Sequence, residues 1–264
     1  MAIWIAWTLL LASPDDALTG AAARVMQGKE GVLLVAGAST GRLRVQHGEA
    51  RRMVTPGSVI KPFVLLSAKE PLRAFRCPGR LRIGLRLLDC SHPATPPMDA
   101  PAALAYSCNN YFAALGDLID GGALERTLLR FGLGSRPGSL RRPQASDARR
   151  LLAMGEDGLL ATPLEMLEAW RRLALASDRT AVLDGLLGAT VYGTARLARP
   201  EGMEVAGKTG TSATRDRRAT HAWFAGWAPA ERPEIVIVVF LEQGRGGGDA
   251  APVARAIFEA YLAR

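Results

Sequence analysis

Ser58 and Lys61 stand three residues apart, directly after Thr55-Pro56-Gly57. Residues three apart on a helix share a face, so this spacing sets a hydroxyl and an amine one turn apart. A serine hydroxyl becomes a strong nucleophile when a base takes its proton, and a lysine serves as that base once burial or nearby cations lower its pKa. A helix beginning at Ser58 would also present backbone N–H groups to a developing oxyanion. Two more groups suit the same chemistry. Ser107-Cys108-Asn109 offers a hydroxyl to relay a proton and an amide to hold a substrate amide, although Ser107 also reads simply as a helix N-cap. Lys208-Thr209-Gly210-Thr211 offers a cation and hydroxyls for a carboxylate, and Gly210 lets a ligand lie against strand backbone. The plainer reading of that run is a strand entering a hydrophilic turn, with Arg215-Asp216-Arg217-Arg218 as a solvated loop behind it.

Each motif is weak alone, and their order and company give them weight. Lys occurs only at positions 29, 61, 69 and 208, while Lys and Arg together number 33. A chain that uses Arg wherever it needs a cation keeps Lys where a shifted pKa or a base is required, and two of the four lie in these motifs. SxxK, an S-x-N element and KTG together are a signature of β-lactamases and penicillin-binding proteins. Other segments resemble penicillin-binding protein transpeptidase domains: Thr55–Phe63 around the serine, Gly155-Glu156-Asp157-Gly158 running into Thr162-Pro163, Tyr192-Gly193-Thr194-Ala195, and His221–Pro229. The resemblance covers about residues 31–262, with Glu156 where the family usually has Gln.

That resemblance implies an acyl-enzyme on Ser58 with Lys61 as its base. Ser107 would pass the proton to the leaving amine, Asn109 would hold the peptide, and Lys208, Thr209 and Thr211 would hold the terminal carboxylate of a D-Ala-D-Ala stem peptide of peptidoglycan. The backbone N–H groups of Ser58 and Thr211 would form the oxyanion hole, and Gly210 would line the substrate. The acyl group would pass to an amine, as in a D,D-transpeptidase, or to water, as in a D,D-carboxypeptidase. β-Lactams would be captured in the same way, and membrane partners in cell-wall synthesis are expected. A class D-like β-lactamase shares the stand-alone size and the KTG strand, but its Tyr-Gly-Asn element is missing between Asn109 and Lys208. A non-enzymatic β-lactam or muropeptide sensor is the rival from another class, and it would need a signalling region.

The elements that must position these residues follow from periodicity. After an Ala-rich helical stretch, Gly31–Gly37 and Arg42-Leu43-Arg44-Val45 read as paired strands, and Ser58–Lys69 reads as a helix. Residues 73–101, rich in Pro, Arg and Gly, read mostly as loop. Helices are predicted near 102–119, 121–131, 162–177 and 183–197. Strands return at 203–209, 221–228 and 234–241, the last a continuous apolar run suited to a buried central strand. Asp249–Arg264 closes the chain as a helix. The expected fold is α/β of the α+β type: an antiparallel sheet built from both chain ends, flanked by helices, with an inserted all-helical lobe over about 73–198. Residues 1–20 are expected to be a signal peptide or N-terminal segment and 21–264 a single catalytic domain.

The totals set the remaining bounds. The chain has 264 residues, 48% hydrophobic and 22% charged, which is ordinary for a folded domain. The net charge of +8 comes from scattered Arg without interleaved aromatics, which argues against nucleic acid as a partner. Met1–Ala12 is an uncharged apolar run of signal-core length, from which an extracytoplasmic, periplasmic or membrane-anchored location is expected. The cysteines are Cys77, Cys90 and Cys108, and the histidines are His47, His92 and His221. With no CxxC pair and no His cluster, neither a metal site nor a cofactor is expected. Cys77 and Cys90 either pair in an oxidising compartment or remain free thiols.

Overall fold

The computed structural model describes residues 14–214 and 216–263. Met1–Ala12, read above as an export signal, lies outside them. In chain order the strands are β1 (Gly31–Gly37), β2 (Leu43–His47), β3 (Arg80–Ile83), β4 (Arg86–Asp89), β5 (Ala206–Ala213), β6 (Thr220–Ala228) and β7 (Ile235–Leu241). The helices are α1 (Pro14–Met26), α2 (Lys61–Ser67), α3 (Ala100–Ala105), α4 (Asn109–Leu118), α5 (Gly121–Arg130), α6 (Ser146–Met154), α7 (Pro163–Leu175), α8 (Thr180–Val191) and α9 (Ala251–Leu262).

A five-stranded sheet runs in the order β2-β1-β7-β6-β5, with every pairing antiparallel. It joins the two ends of the chain, as the strand patterns predict. β7 sits at its centre with all seven residues buried, because both faces of the sheet are covered. Period-2 alternation sends Val236, Val238 and Phe240 into one core and Ile235, Ile237, Val239 and Leu241 into the other. The first core is shared with α2 and the helical lobe, which contribute Phe63 and Trp170 beneath the sheet. The second is shared with α1 and α9 through Leu18, Ala22, Ile257 and Phe258. α1 crosses residue 20, and Leu18 is fully buried.

The chain from Gly57 to the end of the inserted lobe differs from its sequence reading in four places. Residues 58–69 do not make one helix: a single 3-10 turn, Gly57–Ile60, leads into α2. The helix expected near 102–119 is two helices, α3 and α4, broken at Ser107-Cys108. Ser107 there takes a positive φ of 56°, so the N-cap of α4 is Cys108, whose sulfur accepts from the Tyr111 N–H. The stretch read as loop holds the β3–β4 hairpin, whose signal was the alternation Arg80-Leu81-Arg82-Ile83 before Gly84. Finally, α6 was not foreseen. Gly155 ends it in the left-handed region, as a glycine C-cap does.

Candidate active site

The SxxK turn is held against the sheet by backbone. Gly57 has a φ of +59°, and a Cβ on it would stand 2.7 Å from the Thr211 carbonyl oxygen. Only glycine lets the serine turn press this closely on β5. Gly57 N–H also donates to the Gly155 carbonyl at 3.0 Å, tying the turn to the end of α6. The Thr55 carbonyl accepts from Ser212 Oγ at 2.8 Å and from Trp223 Nε1 at 3.1 Å, which anchors the residue before the turn. A 3-10 turn has three residues per turn, so Ser58 and Lys61 lie more nearly above one another than on an α-helix. The Lys61 N–H donates to the Ser58 carbonyl, consistent with that winding.

Lys61 is fully buried. Its Nζ donates to the Ser107 carbonyl at 2.9 Å, to Ser107 Oγ at 3.3 Å and to Asn109 Oδ1 at 2.8 Å. These bonds hold the strained Ser107 backbone in place; such a conformation costs about 1–3 kcal/mol. Burial lowers the Lys61 pKa to about 8, against an opposing pull from Cys108, Cys90 and Glu156. Roughly one Lys61 in ten is then neutral at pH 7, a far larger share than for a free lysine. Asn109 is itself oriented, its Nδ2 donating to the Asp89 carbonyl at 3.1 Å at the end of β4.

β5 forms the opposite wall. It is an edge strand, so its outer backbone groups are free of a neighbouring strand. Lys208 is also fully buried, and burial followed by repulsion from Lys61 lowers its pKa well below the usual lysine range. Its Nζ donates to the Thr209 carbonyl at 3.0 Å and Thr194 Oγ1 at 3.4 Å, and Thr209 Oγ1 donates to Thr194 Oγ1 at 2.8 Å. Thr211 Oγ1 accepts from the Gly246 N–H at 3.2 Å.

Ser58, Ser107, Asn109, Thr209, Gly210 and Thr211 all line one cleft of about 750 Å³, with Lys61 and Lys208 buried in its floor. All eight candidate residues are therefore brought together from three separate segments of the chain. The cleft also takes in Thr194, Glu156 and Arg245, which were not singled out as site residues. Thr194 and Glu156 fell in family-like segments, so their position could have been found there; Arg245 stands in a Gly-rich stretch that gave no signal. Burial raises the Glu156 carboxyl pKa.

The model of the penicillin-binding protein transpeptidase domain matches residues 21–259. The chain belongs to this family. Among curated relatives, peptidoglycan D,D-transpeptidase MrdA of Acinetobacter baumannii is 34% identical over 99 residues, 32% of this chain and 15% of that protein. Peptidoglycan D,D-transpeptidase PbpA of Mycobacterium tuberculosis is 28% identical over 218 residues, 63% of this chain and 44% of that one. The chain thus spans less than half the length of these relatives. The D,D-transpeptidase domain of a peptidoglycan glycosyltransferase from Eggerthella lenta superposes with a TM-score of 0.81 at 22% identity, covering 94% of this chain and 81% of that one. Penicillin-binding protein A of M. tuberculosis, solved as a ceftriaxone acyl-enzyme, gives 0.78 at 21%, covering 93% and 78%. These superpositions establish the α+β transpeptidase fold read from the sequence.

Beside the cleft, donors from three segments of the chain converge: Cys77, Cys90, His92 and Cys108 each have a ligand atom within 4.8 Å of the others. The three cysteines are free thiols.

Proposed function

We propose that the chain is a serine acyltransferase acting on peptidoglycan stem peptides, a D,D-transpeptidase in which water can replace the acceptor amine to give carboxypeptidase action. The observation that carries this reading is Lys61, buried with a pKa near 8 and bonded to both Ser107 and Asn109 in the cleft that Ser58 lines. Neutral Lys61 takes the proton from Ser58 Oγ as that oxygen attacks the carbonyl carbon. The oxyanion is stabilised by the backbone N–H groups of Ser58 and Thr211. Ser107 Oγ, at 3.3 Å from Lys61 Nζ, passes the proton to the leaving D-Ala nitrogen as the C–N bond breaks. An amine or water then attacks the Ser58 ester and frees the serine. The edge of β5 accepts the stem peptide as an added strand. Its carboxylate meets Lys208, Thr209 and Thr211, and by pairing restores the charge that burial removes from Lys208.

The same reading places the enzyme outside the cytoplasm, where its polymer substrate lies, in company with membrane proteins of cell-wall synthesis. A relative supports the second point: the penicillin-binding protein PBP2 of Helicobacter pylori, 21% identical, has been solved in complex with MreC.

The test is intact-mass spectrometry after incubation with penicillin. A lasting adduct on the wild type and none on Ser58→Ala is the expected result. Rapid drug turnover without an adduct would instead make the chain a β-lactamase. Neither adduct nor turnover would refute the acyl-enzyme altogether.

A further inference from the structure

Three separate segments meet beside the S-x-N turn. Cys77 precedes the β3–β4 hairpin, Cys90 and His92 follow it, and Cys108 caps α4 between Ser107 and Asn109. Cys90 Sγ lies 3.5 Å from Cys77 Sγ and 3.8 Å from Cys108 Sγ. Zinc–thiolate bonds are about 2.3 Å, so the edges of a tetrahedral thiolate site are about 3.8 Å. The sulfurs therefore already stand close to the corners of such a tetrahedron.

The fourth corner is the histidine. The Nδ1 of His92 lies 2.8 Å from the Pro93 carbonyl. A carbonyl only accepts, so Nδ1 carries the hydrogen and Nε2 carries a bare lone pair. That Nε2 is buried without any hydrogen-bond partner. A metal-binding histidine is arranged in this way, one ring nitrogen donating to a carbonyl and the other left for the ion. The sulfurs are surrounded by donors. Asn110 Nδ2 reaches Cys90 Sγ at 3.2 Å and Cys77 Sγ at 3.5 Å, Gly79 N–H reaches Cys77 Sγ at 3.3 Å, and Tyr111 N–H reaches Cys108 Sγ at 3.4 Å. N–H groups aimed at sulfur suit thiolates. A disulfide between Cys77 and Cys90 would leave both the His92 lone pair and Cys108 without a use.

We propose that Cys77, Cys90, His92 and Cys108 bind one zinc ion as a closed Cys3His site, which clamps the β3–β4 hairpin to the S-x-N turn. Three thiolates and an imidazole in tetrahedral array select zinc among the common divalent metals. Binding releases the thiol protons, and the ligand set leaves no position open for a substrate. The ion is thus a positioning device. Cys108 lies between the two residues that hold Lys61, so the metal fixes the strained φ of Ser107 and the aim of Asn109.

The full chain, purified under reducing conditions, is assayed for zinc, stripped with a chelator and refilled with Co²⁺. The expected result is equimolar zinc and, with cobalt, a thiolate-to-metal charge-transfer band together with the intense visible bands of a tetrahedral ion. His92→Ala should change the visible bands. Asn110→Leu, which leaves all four ligands in place, should weaken metal binding about 10–100-fold. A reduced, folded wild type that gives no cobalt–thiolate band would overturn the site, as would zinc-free native protein carrying a Cys77–Cys90 disulfide in non-reduced peptide maps. The positioning role rests on the acyl-enzyme reading. Stripped wild type should acylate with penicillin about 10–100-fold more slowly, as displaced catalytic groups do, and recover with Zn²⁺. Unchanged acylation after stripping would overturn that role, while the cobalt spectrum, which needs no serine chemistry, would still report on the site.

Discussion

Lys61 must be neutral to take a proton, and burial sets the pH at which it becomes so. With its pKa lowered to about 8, the active form is lost as pH falls. The acylation rate constant should therefore drop about tenfold per pH unit below 8 and level off above it, as measured by stopped-flow acylation with a chromogenic β-lactam. A flat profile between pH 6 and about 8 would remove Lys61 from the role of base. Lys61→Ala should lower the same constant by about 10²–10⁴-fold with the fold intact by circular dichroism. Thr194 is a subtler case. It accepts from both Lys208 and Thr209, so Thr194→Val should unsettle the carboxylate-binding wall rather than the nucleophile. A rise of about tenfold in the half-saturating concentration of stem peptide, with its limiting rate nearly kept, is the expected signature.

At the scale of elements, turns and caps do the placing. Gly57→Ala would force a Cβ against the Thr211 carbonyl in a backbone conformation that alanine resists. It should cost about 1–3 kcal/mol of stability and greatly slow acylation, read by thermal melts and adduct formation together. Thr162 makes a capping box with Glu165 at the start of α7, away from the reacting atoms. Thr162→Ala should cost about 1 kcal/mol and leave the acylation of folded protein unchanged. What could be read from sequence divides along the same line. β7 and the SxxK pair were legible because apolar continuity and a three-residue spacing are local signals. The β3–β4 hairpin was obscured because Arg alternates there with Leu and Ile amid Pro and Gly, a composition that reads as loop. The break between α3 and α4 falls at Ser107-Cys108, a short polar step between two apolar helical stretches that read as one helix, and it exists because Ser107 takes a left-handed turn that Lys61 stabilises. The Cys/His cluster was invisible because its donors come from three segments, and only the folded hairpin closes the distance.

At the scale of the whole molecule, two cores sandwich one sheet, and Trp170 joins the lobe to that sheet. It is fully buried, packing edge-on to Phe63 at 6.3 Å and tilted on Trp227 at 5.8 Å. Trp170→Ala should cost about 3–5 kcal/mol. Penicillin capture and the far-ultraviolet signal of the sheet should then be lost in a single transition on heating, since the cleft walls come from both the lobe and the sheet.

The pairing of β1 with β7 carries a kinetic consequence. These neighbours lie roughly two hundred residues apart in the chain, and non-local pairing of this kind slows folding. On the ribosome the β1–β2 hairpin is made before β7, with Leu33, Val35 and its free edge uncovered until β7 emerges. Throughout that interval the chain exposes a sticky template, and its yield will depend on how well a holding chaperone shields that hairpin during the wait.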